Sequence, residues 1–277
     1  MAAFSEATLR QEYEARGFVT PLHACSADDA AAALREATDL EGDARFKPHL
    51  YLPALNRVAR APNVVAVARA CLGGDVFLWS SDVNFKGPHS EAFFSPHQDS
   101  TYAGLAPADH CCTIWVALTA ADEASGALAF APASHVQGQR PHVENPADPH
   151  NALSKGQRCE ARGPWAHARL RPGDMSVHHF HCVHASGANR SPNPRVGLAL
   201  RFAALDVRQT GAARESVTVF GPEAPDGFDV EPALPLNPSE DDLARGRAAH
   251  AAALAAEREN YFPAGGAYRR PYNFVHY

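Results

Sequence analysis

The chain has 277 residues, 45% of them hydrophobic, and a formal net charge of −6. That composition supports a packed core and excludes global disorder. The acidic balance and the lack of a long Lys/Arg run argue against nucleic acid as a principal partner. No apolar run reaches the roughly 18 residues of a membrane span, and the N-terminus lacks the basic, apolar, small-residue order of a secretory leader. Six scattered cysteines (Cys25, Cys71, Cys111, Cys112, Cys159, Cys182) with no C-x-x-C pair predict reduced thiols in a cytoplasmic protein.

Residues 5 to 16 predict a helix, and Gly17 to Leu22 a short strand or extended entry segment. Ser26, with Asp28 and Asp29 in the first turn, caps a second helix through about Leu40. A third helix runs from about Pro62, with proline in its first turn, to Leu72, with Gly73-Gly74 beyond. Val64, Val67, Ala68 and Cys71 give it an apolar face. These helices carry no chemistry and are expected to cover the rest of the fold.

Asp75 to Lys86 predicts a strand in which Asp82, Asn84 and Lys86 share one face, and Val83 and Phe85 the other. A loop over residues 87 to 95 delivers the chain to Ser95-Pro96-His97-Gln98-Asp99-Ser100-Thr101-Tyr102. On extended backbone His97 and Asp99 point the same way, a half-site for a divalent metal. Thr113 to Leu118 alternates again, with Thr113, Trp115 and Ala117 opposite Ile114, Val116 and Leu118. Ala121 to Gly126 is a polar turn. Ala127 to Ala131 is a strand with Leu128 and Phe130 on one side and alanines on the other. The expectation for all three strands is bulky residues toward a packed layer and small or polar ones toward an enclosed space.

Residues 136 to 168, with His142, His150 and His167 as surface residues, lack periodicity and are expected to form a loop over the mouth that helps choose the substrate. The turn Arg171-Pro172-Gly173-Asp174 leads into a run carrying His178, His179, His181 and His184. Any of these could supply the ligand that completes the half-site, and spacing alone does not separate them. Cys182 reads as a core thiol, with a role as a further donor as the alternative. Arg195 to Phe202 alternates strictly: Val196, Leu198, Leu200 and Phe202 oppose Arg195, Gly197, Ala199 and Arg201. Gly and Ala between two arginines suit the wall of a cavity that holds an anion, because a guanidinium grips a carboxylate through two charge-assisted hydrogen bonds. Pro222, Pro225, Pro232, Pro235 and Pro238 mark a loop. Ser239, with Glu240, Asp241 and Asp242 behind it, caps a helix to about Asn260. The tail from Phe262 to Tyr277 is left open.

Taken together, His97-Gln98-Asp99, His184-x-Ser186-x-x-Asn189-x-Ser191 and Arg195 resemble the phytanoyl-CoA dioxygenase family of Fe(II)/2-oxoglutarate oxygenases. Trp115 to Thr119 and Gly126 to His135 match its central segments, and the resemblance runs from about residue 10 to about 210. It implies a mainly β fold with flanking helices, a double-stranded β-helix (jelly-roll, cupin-like) barrel. The expected single domain, 1–277, has a helical cover over about 1–74, a barrel over about 75–210, and a C-terminal loop, helix and tail over 211–277.

The family register selects His184 as the third metal ligand and leaves His178, His179 and His181 as supporting residues. It implies Fe(II) on His97, Asp99 and His184, an arrangement that leaves positions open for a cosubstrate and O2. The cosubstrate 2-oxoglutarate would meet Arg195 through its far carboxylate, with Ser186, Lys86 and the Trp115 indole N–H assisting. The implied reaction is hydroxylation of a C–H bond, with succinate and CO2 as co-products. Asp99 stands where related halogenases carry a small residue, which favours hydroxylation. Desaturation, ring-forming oxidation and stereochemical inversion use the same triad. Gln98, Tyr102, Asp82, Asn84 and Arg201 point to a small polar or zwitterionic substrate. Two other classes compete: a non-catalytic barrel that binds a metal or an organic acid, and a zinc hydrolase, in which Arg195 and Ser186 would lack a purpose. No segment specifies an oligomeric state.

Overall fold

The computed structural model describes residues 5–145, 148–153, 157–161 and 164–261. The tail of residues 262–277 lies outside them. Helices α1 (Glu6–Arg16), α2 (Ala27–Thr38), α3 (Pro53–Ala59) and α4 (Pro62–Leu72) precede most of the strands, and α5 (Glu240–Tyr261) follows them. Ser5 and Ser26 cap α1 and α2 by accepting from the backbone N–H of Thr8 and Asp29. The sequence did not predict α3; its first N–H groups donate to the Glu36 carboxylate on α2, a cap supplied by tertiary structure.

The strands are β1 (Phe18–His23), β2 (Val76–Lys86), β3 (Phe94–His97), β4 (Leu105–Ala106), β5 (Cys111–Ala117), β6 (Leu128–Phe130) and β7 (Ala166–His167). They continue with β8 (Asp174–His179), β9 (His184–Ser186), β10 (Arg195–Ala204), β11 (Arg208–Gln209), β12 (Ser216–Phe220) and β13 (Asp229–Val230). The larger sheet has the order β1-β8-β5-β10-β2-β12-β13 and the smaller one β3-β9-β6-β7; β4 and β11 form a separate ribbon. Two sheets facing across a core are the jelly-roll arrangement. The larger sheet extends beyond residue 210, because β12 pairs with the first half of β2.

Alternation decides what each face of the larger sheet does. Val83, Ile114, Val116, Val196, Leu198, Leu200 and Phe202 are buried on the outer face against α1 to α4, each such side chain contributing about 1.5–3 kcal/mol. The opposite face brings Lys86, Asn84 and Asp82 of β2 alongside Arg195, Gly197 and Ala199 of β10, and pairs Ala199 with Trp115 and Arg201 with Thr113 on β5. On β6 the expected division is reversed. Leu128 lines the inner cavity and the Phe130 ring lies 5.2 Å from His178 and stacks at 4.7 Å on Phe18. The smaller sheet backs the site with apolar surface, so its bulky residues face inward. Among the described residues no helix is long and apolar enough to cross a membrane.

Candidate metal centre

Strand register brings the two histidines together. His97 on β3 pairs directly with His184 on β9, and their ring centroids lie 4.2 Å apart. Asp99 opens the 3₁₀ turn immediately after β3. Its Oδ1 is 3.9 Å from His97 Nε2 and 3.8 Å from His184 Nε2. Ligand atoms of the three buried residues fall within 4.8 Å of one another. Each imidazole is oriented from behind: His97 Nδ1 lies 2.7 Å from the Ser95 carbonyl and His184 Nδ1 3.0 Å from that of Cys182. Those contacts fix Nδ1 as the protonated nitrogen and present a bare Nε2 to the centre, as metal ligation requires.

Electrostatics favour the same donor set. Burial pushes the His97 pKa down to about 4 and that of His184 well below its ordinary value, with His97 and His178 adding to the effect. Burial opposes ionisation of Asp99, but His184, His178 and Arg201 outweigh it and hold the carboxyl well below the usual range. The site therefore offers two neutral imidazoles and one carboxylate, the deprotonated forms a cation needs.

A cavity leads from these residues between the sheets. Its wall includes Asn84, Phe94, Thr113, Trp115, His178, Ser186, Arg195 and Arg201. Arg195 and Ser186 meet in its wall. Arg195 donates from Nη2 to the Gly126 carbonyl at 2.9 Å and to Ser186 Oγ at 2.6 Å, while its buried Nε has no hydrogen-bond partner. Lys86 does not line the cavity. Its ammonium approaches from behind, donating to Ser186 Oγ at 2.6 Å and to the carbonyls of Ser186 and Gly187. Among the described residues neither cation forms an ion pair with a carboxylate. Burial lowers the Arg195 pKa to about 10, and burial together with Arg195 lowers that of Lys86 well below its usual value. Two desolvated positive charges without a counter-charge are costly unless an anion joins them.

The other predicted residues divide. The Trp115 indole N–H is expected to reach the cosubstrate; instead it donates to Asn84 Oδ1 at 3.0 Å. What Trp115 offers the cavity is its ring, 5.0 Å from the Arg195 guanidinium and seated where a Cβ on Gly197 would come within 2.0 Å of it. Asn84 and Arg201 line the cavity, but Asp82 does not; it lies behind, holding Arg201 Nη1 at 2.5 Å. Gln98 is turned away altogether. Its amide donates to the carbonyls of Gly138 and His181 and accepts from the Arg140 N–H, because neighbours of an inward-facing residue on extended backbone face outward. Tyr102 is turned toward the candidate donor set rather than a free polar surface, its hydroxyl donating to Asp99 Oδ1.

Two further residues support Asp99: Thr113, to which the sequence assigns no role, and His178, one of the histidines expected to be supporting. Thr113 Oγ1 donates to Asp99 Oδ2 at 2.5 Å, and His178 Nε2 lies 3.4 Å from the same oxygen. Both stand on inward positions that alternation along β5 and β8 marks, yet nothing in the sequence ties either to Asp99. Cys182 is a core thiol, its pKa raised to about 12 by burial. Described parts of the 136–168 segment pack on β3: Cys159 N–H donates to Pro96 O, Ala152 N–H to Phe93 O, and Ser95 Oγ to Gln157 O.

Comparison with known proteins agrees with this geometry. A family model described as phytanoyl-CoA dioxygenase (PhyH) matches residues 9–197. A protein of Stutzerimonas stutzeri described as a probable alpha-ketoglutarate-dependent hypophosphite dioxygenase is 29% identical over 178 residues, covering 57% of this chain and 56% of that protein. The ectoine dioxygenase of Bordetella parapertussis is 26% identical over 230 residues, 71% of this chain and 74% of that protein. Among solved structures, the nickel complex of the non-heme monooxygenase ThoJ is 26% identical with a TM-score of 0.72, covering 91% of this chain and 98% of that one. The chain spans about half the length of the first curated relatives it matches, 56% and 52%.

Proposed function

The chain belongs to the phytanoyl-CoA dioxygenase family, and from that premise we propose that it is an Fe(II)- and 2-oxoglutarate-dependent dioxygenase that hydroxylates a C–H bond of a small polar metabolite. The observation that carries this reading is the pairing of two features in one buried site. A His-Asp-His donor set and the unpaired cation Arg195, backed by Lys86, line the same cavity.

His97 and His184 would hold Fe(II) through Nε2 and Asp99 through Oδ1. Arg195 would take the far carboxylate of 2-oxoglutarate, aided by the Ser186 hydroxyl. Lys86 acts through Ser186, adding positive potential without touching the acid. The Trp115 ring forms the side wall and, with Phe94 and Leu128, excludes water. Bound together, Fe(II), 2-oxoglutarate and O2 supply an oxidative decarboxylation to succinate and CO2 coupled to attack on a substrate C–H bond. The presence of a carboxylate at Asp99 favours hydroxylation over halide transfer. Arg201 and Asn84 offer the substrate polar contacts, which supports a small polar molecule, and the relatives named for hypophosphite and ectoine act on molecules of that scale. Buried free thiols support a cytoplasmic setting.

The test is turnover of the purified chain with Fe(II) and 2-oxoglutarate, following O2 uptake and succinate, while candidate metabolites are screened for stimulation. Succinate formation that needs both Fe(II) and O2 and rises with one class of metabolite supports the reading. Absence of succinate with every metabolite contradicts it.

A further inference from the structure

Asp99 has two oxygens with different surroundings. Oδ1 accepts from the Tyr102 hydroxyl and faces the Nε2 atoms of His97 and His184. Oδ2 accepts from Thr113 and lies 3.4 Å from His178 Nε2. Thr113 and His178 are direct cross-strand partners on β5 and β8, so their side chains rise together from the inner face of the larger sheet. On its far side His178 pairs with Phe18, and Phe130 closes over it at 5.2 Å. The imidazole is 1% exposed and neither ring nitrogen makes a hydrogen bond. A buried imidazole in an aromatic box needs a reason to be there, because phenylalanine would fit and leave nothing unsatisfied.

We propose that His178 is a positioning residue that, with Thr113, holds Asp99 Oδ2 away from the metal so that Asp99 ligates through Oδ1 alone. The inference rests on the reading of His97, Asp99 and His184 as the metal site. A six-coordinate ion held by these three residues would have room for a keto acid and one further ligand only if the carboxylate took a single position. A carboxylate free to chelate would occupy the place of an incoming ligand. His178 Nε2 stands 3.4 Å from Oδ2, close enough to attract it but short of a closed hydrogen bond, and Thr113 donates to the same oxygen. Asp99 sits on a turn outside the sheet ladder, so its orientation is set by side-chain contacts, from Tyr102 at Oδ1 and from Thr113 and His178 at Oδ2.

The experiment uses the full chain and Co(II), a redox-stable probe whose visible spectrum reports coordination number. Wild type, His178→Phe, His178→Gln and Thr113→Val are compared by calorimetric titration with Co(II) and then with 2-oxoglutarate, and by the Co(II) spectrum. In His178→Phe the spectrum is expected to change, Co(II) to bind at least as tightly, and 2-oxoglutarate to bind about tenfold more weakly, the scale of one charge-assisted hydrogen bond. Thr113→Val moves the same readouts in the same direction, and His178→Gln, which keeps a donor, restores most of the wild-type values. An unchanged spectrum and unchanged 2-oxoglutarate affinity in both His178→Phe and Thr113→Val overturn the proposal while leaving the metal site standing. Failure of wild type itself to bind Co(II) overturns the metal site and the proposal with it.

Discussion

Lys86 Nζ and Arg195 Nη2 both lie 2.6 Å from the Ser186 hydroxyl oxygen. Both cations can only donate, so Ser186 Oγ accepts twice and sends its own proton to the Gly126 carbonyl at 2.8 Å. One hydroxyl therefore aligns two buried positive charges whose strands, β2 and β10, are held in register at this very pair. The two cations are nonetheless unequal, since Arg195 lines the cavity and Lys86 does not. Arg195→Gln is expected to weaken 2-oxoglutarate about a hundredfold and Lys86→Met about tenfold, the difference between losing a charged contact and losing its support. Calorimetric titration of each variant in the presence of Co(II) checks the order.

Gly197 is required by Trp115. A Cβ there would come within 2.0 Å of the indole ring, and that ring is tied on its other sides to Asn84 and Arg195. Gly197→Ala is expected to cost about 1–3 kcal/mol through overpacking. It should also weaken 2-oxoglutarate, because the displaced ring shifts Arg195. Urea unfolding and titration, run on the same preparation, measure both.

The Arg201–Asp82 pair is buried, with side chains 4% and 6% exposed. Arg201→Gln strands the Asp82 carboxylate and is expected to destabilise the chain by about 3–5 kcal/mol. The double substitution Arg201→Gln with Asp82→Asn should recover most of that loss. A thermodynamic cycle from urea unfolding of the single and double variants reads the coupling directly.

His179 predicts an acid limit to stability. Burial, reinforced by His135 and His181, pushes its pKa down to about 3, and its Nδ1 accepts from the His181 N–H. The unfolded chain protonates this histidine below about pH 6.5 while the folded chain does not. The unfolded state therefore binds more protons, and stability falls as the pH drops from about 6.5 toward about 3. Glu231, held low by Lys47 and His49 against the effect of burial, adds its own loss in acid. The histidine contribution is isolated by comparing urea midpoints of wild type and His179→Gln across this range; the variant should show the shallower decline.

Strands β2, β5 and β10 were legible because each separates bulky from small or polar residues at every second position, and Asn84, Thr113, Trp115, Arg195, Ala199 and Arg201 of the inner set line the cavity. Strand β6 misled for a physical reason. Where the smaller sheet backs the metal ligands, the interior is apolar, so Phe130 points in rather than out. Gln98 misled because it sits between two ligands in sequence and faces the other way in space. The helix α3 is short and its cap comes from Glu36 on another helix, which local sequence does not reveal. Thr113 and His178 meet Asp99 only through strand pairing, and no spacing rule along the chain records that.

The most direct test is an anaerobic titration of the purified chain with Fe(II) and 2-oxoglutarate, watched for the visible charge-transfer band of a keto acid chelated to Fe(II). The band should appear at equimolar Fe(II), 2-oxoglutarate and chain, vanish in His184→Ala and Asp99→Ala, and require far more 2-oxoglutarate in Arg195→Gln. No band in wild type, or one that survives loss of either ligand, would contradict an iron centre built on His97, Asp99 and His184.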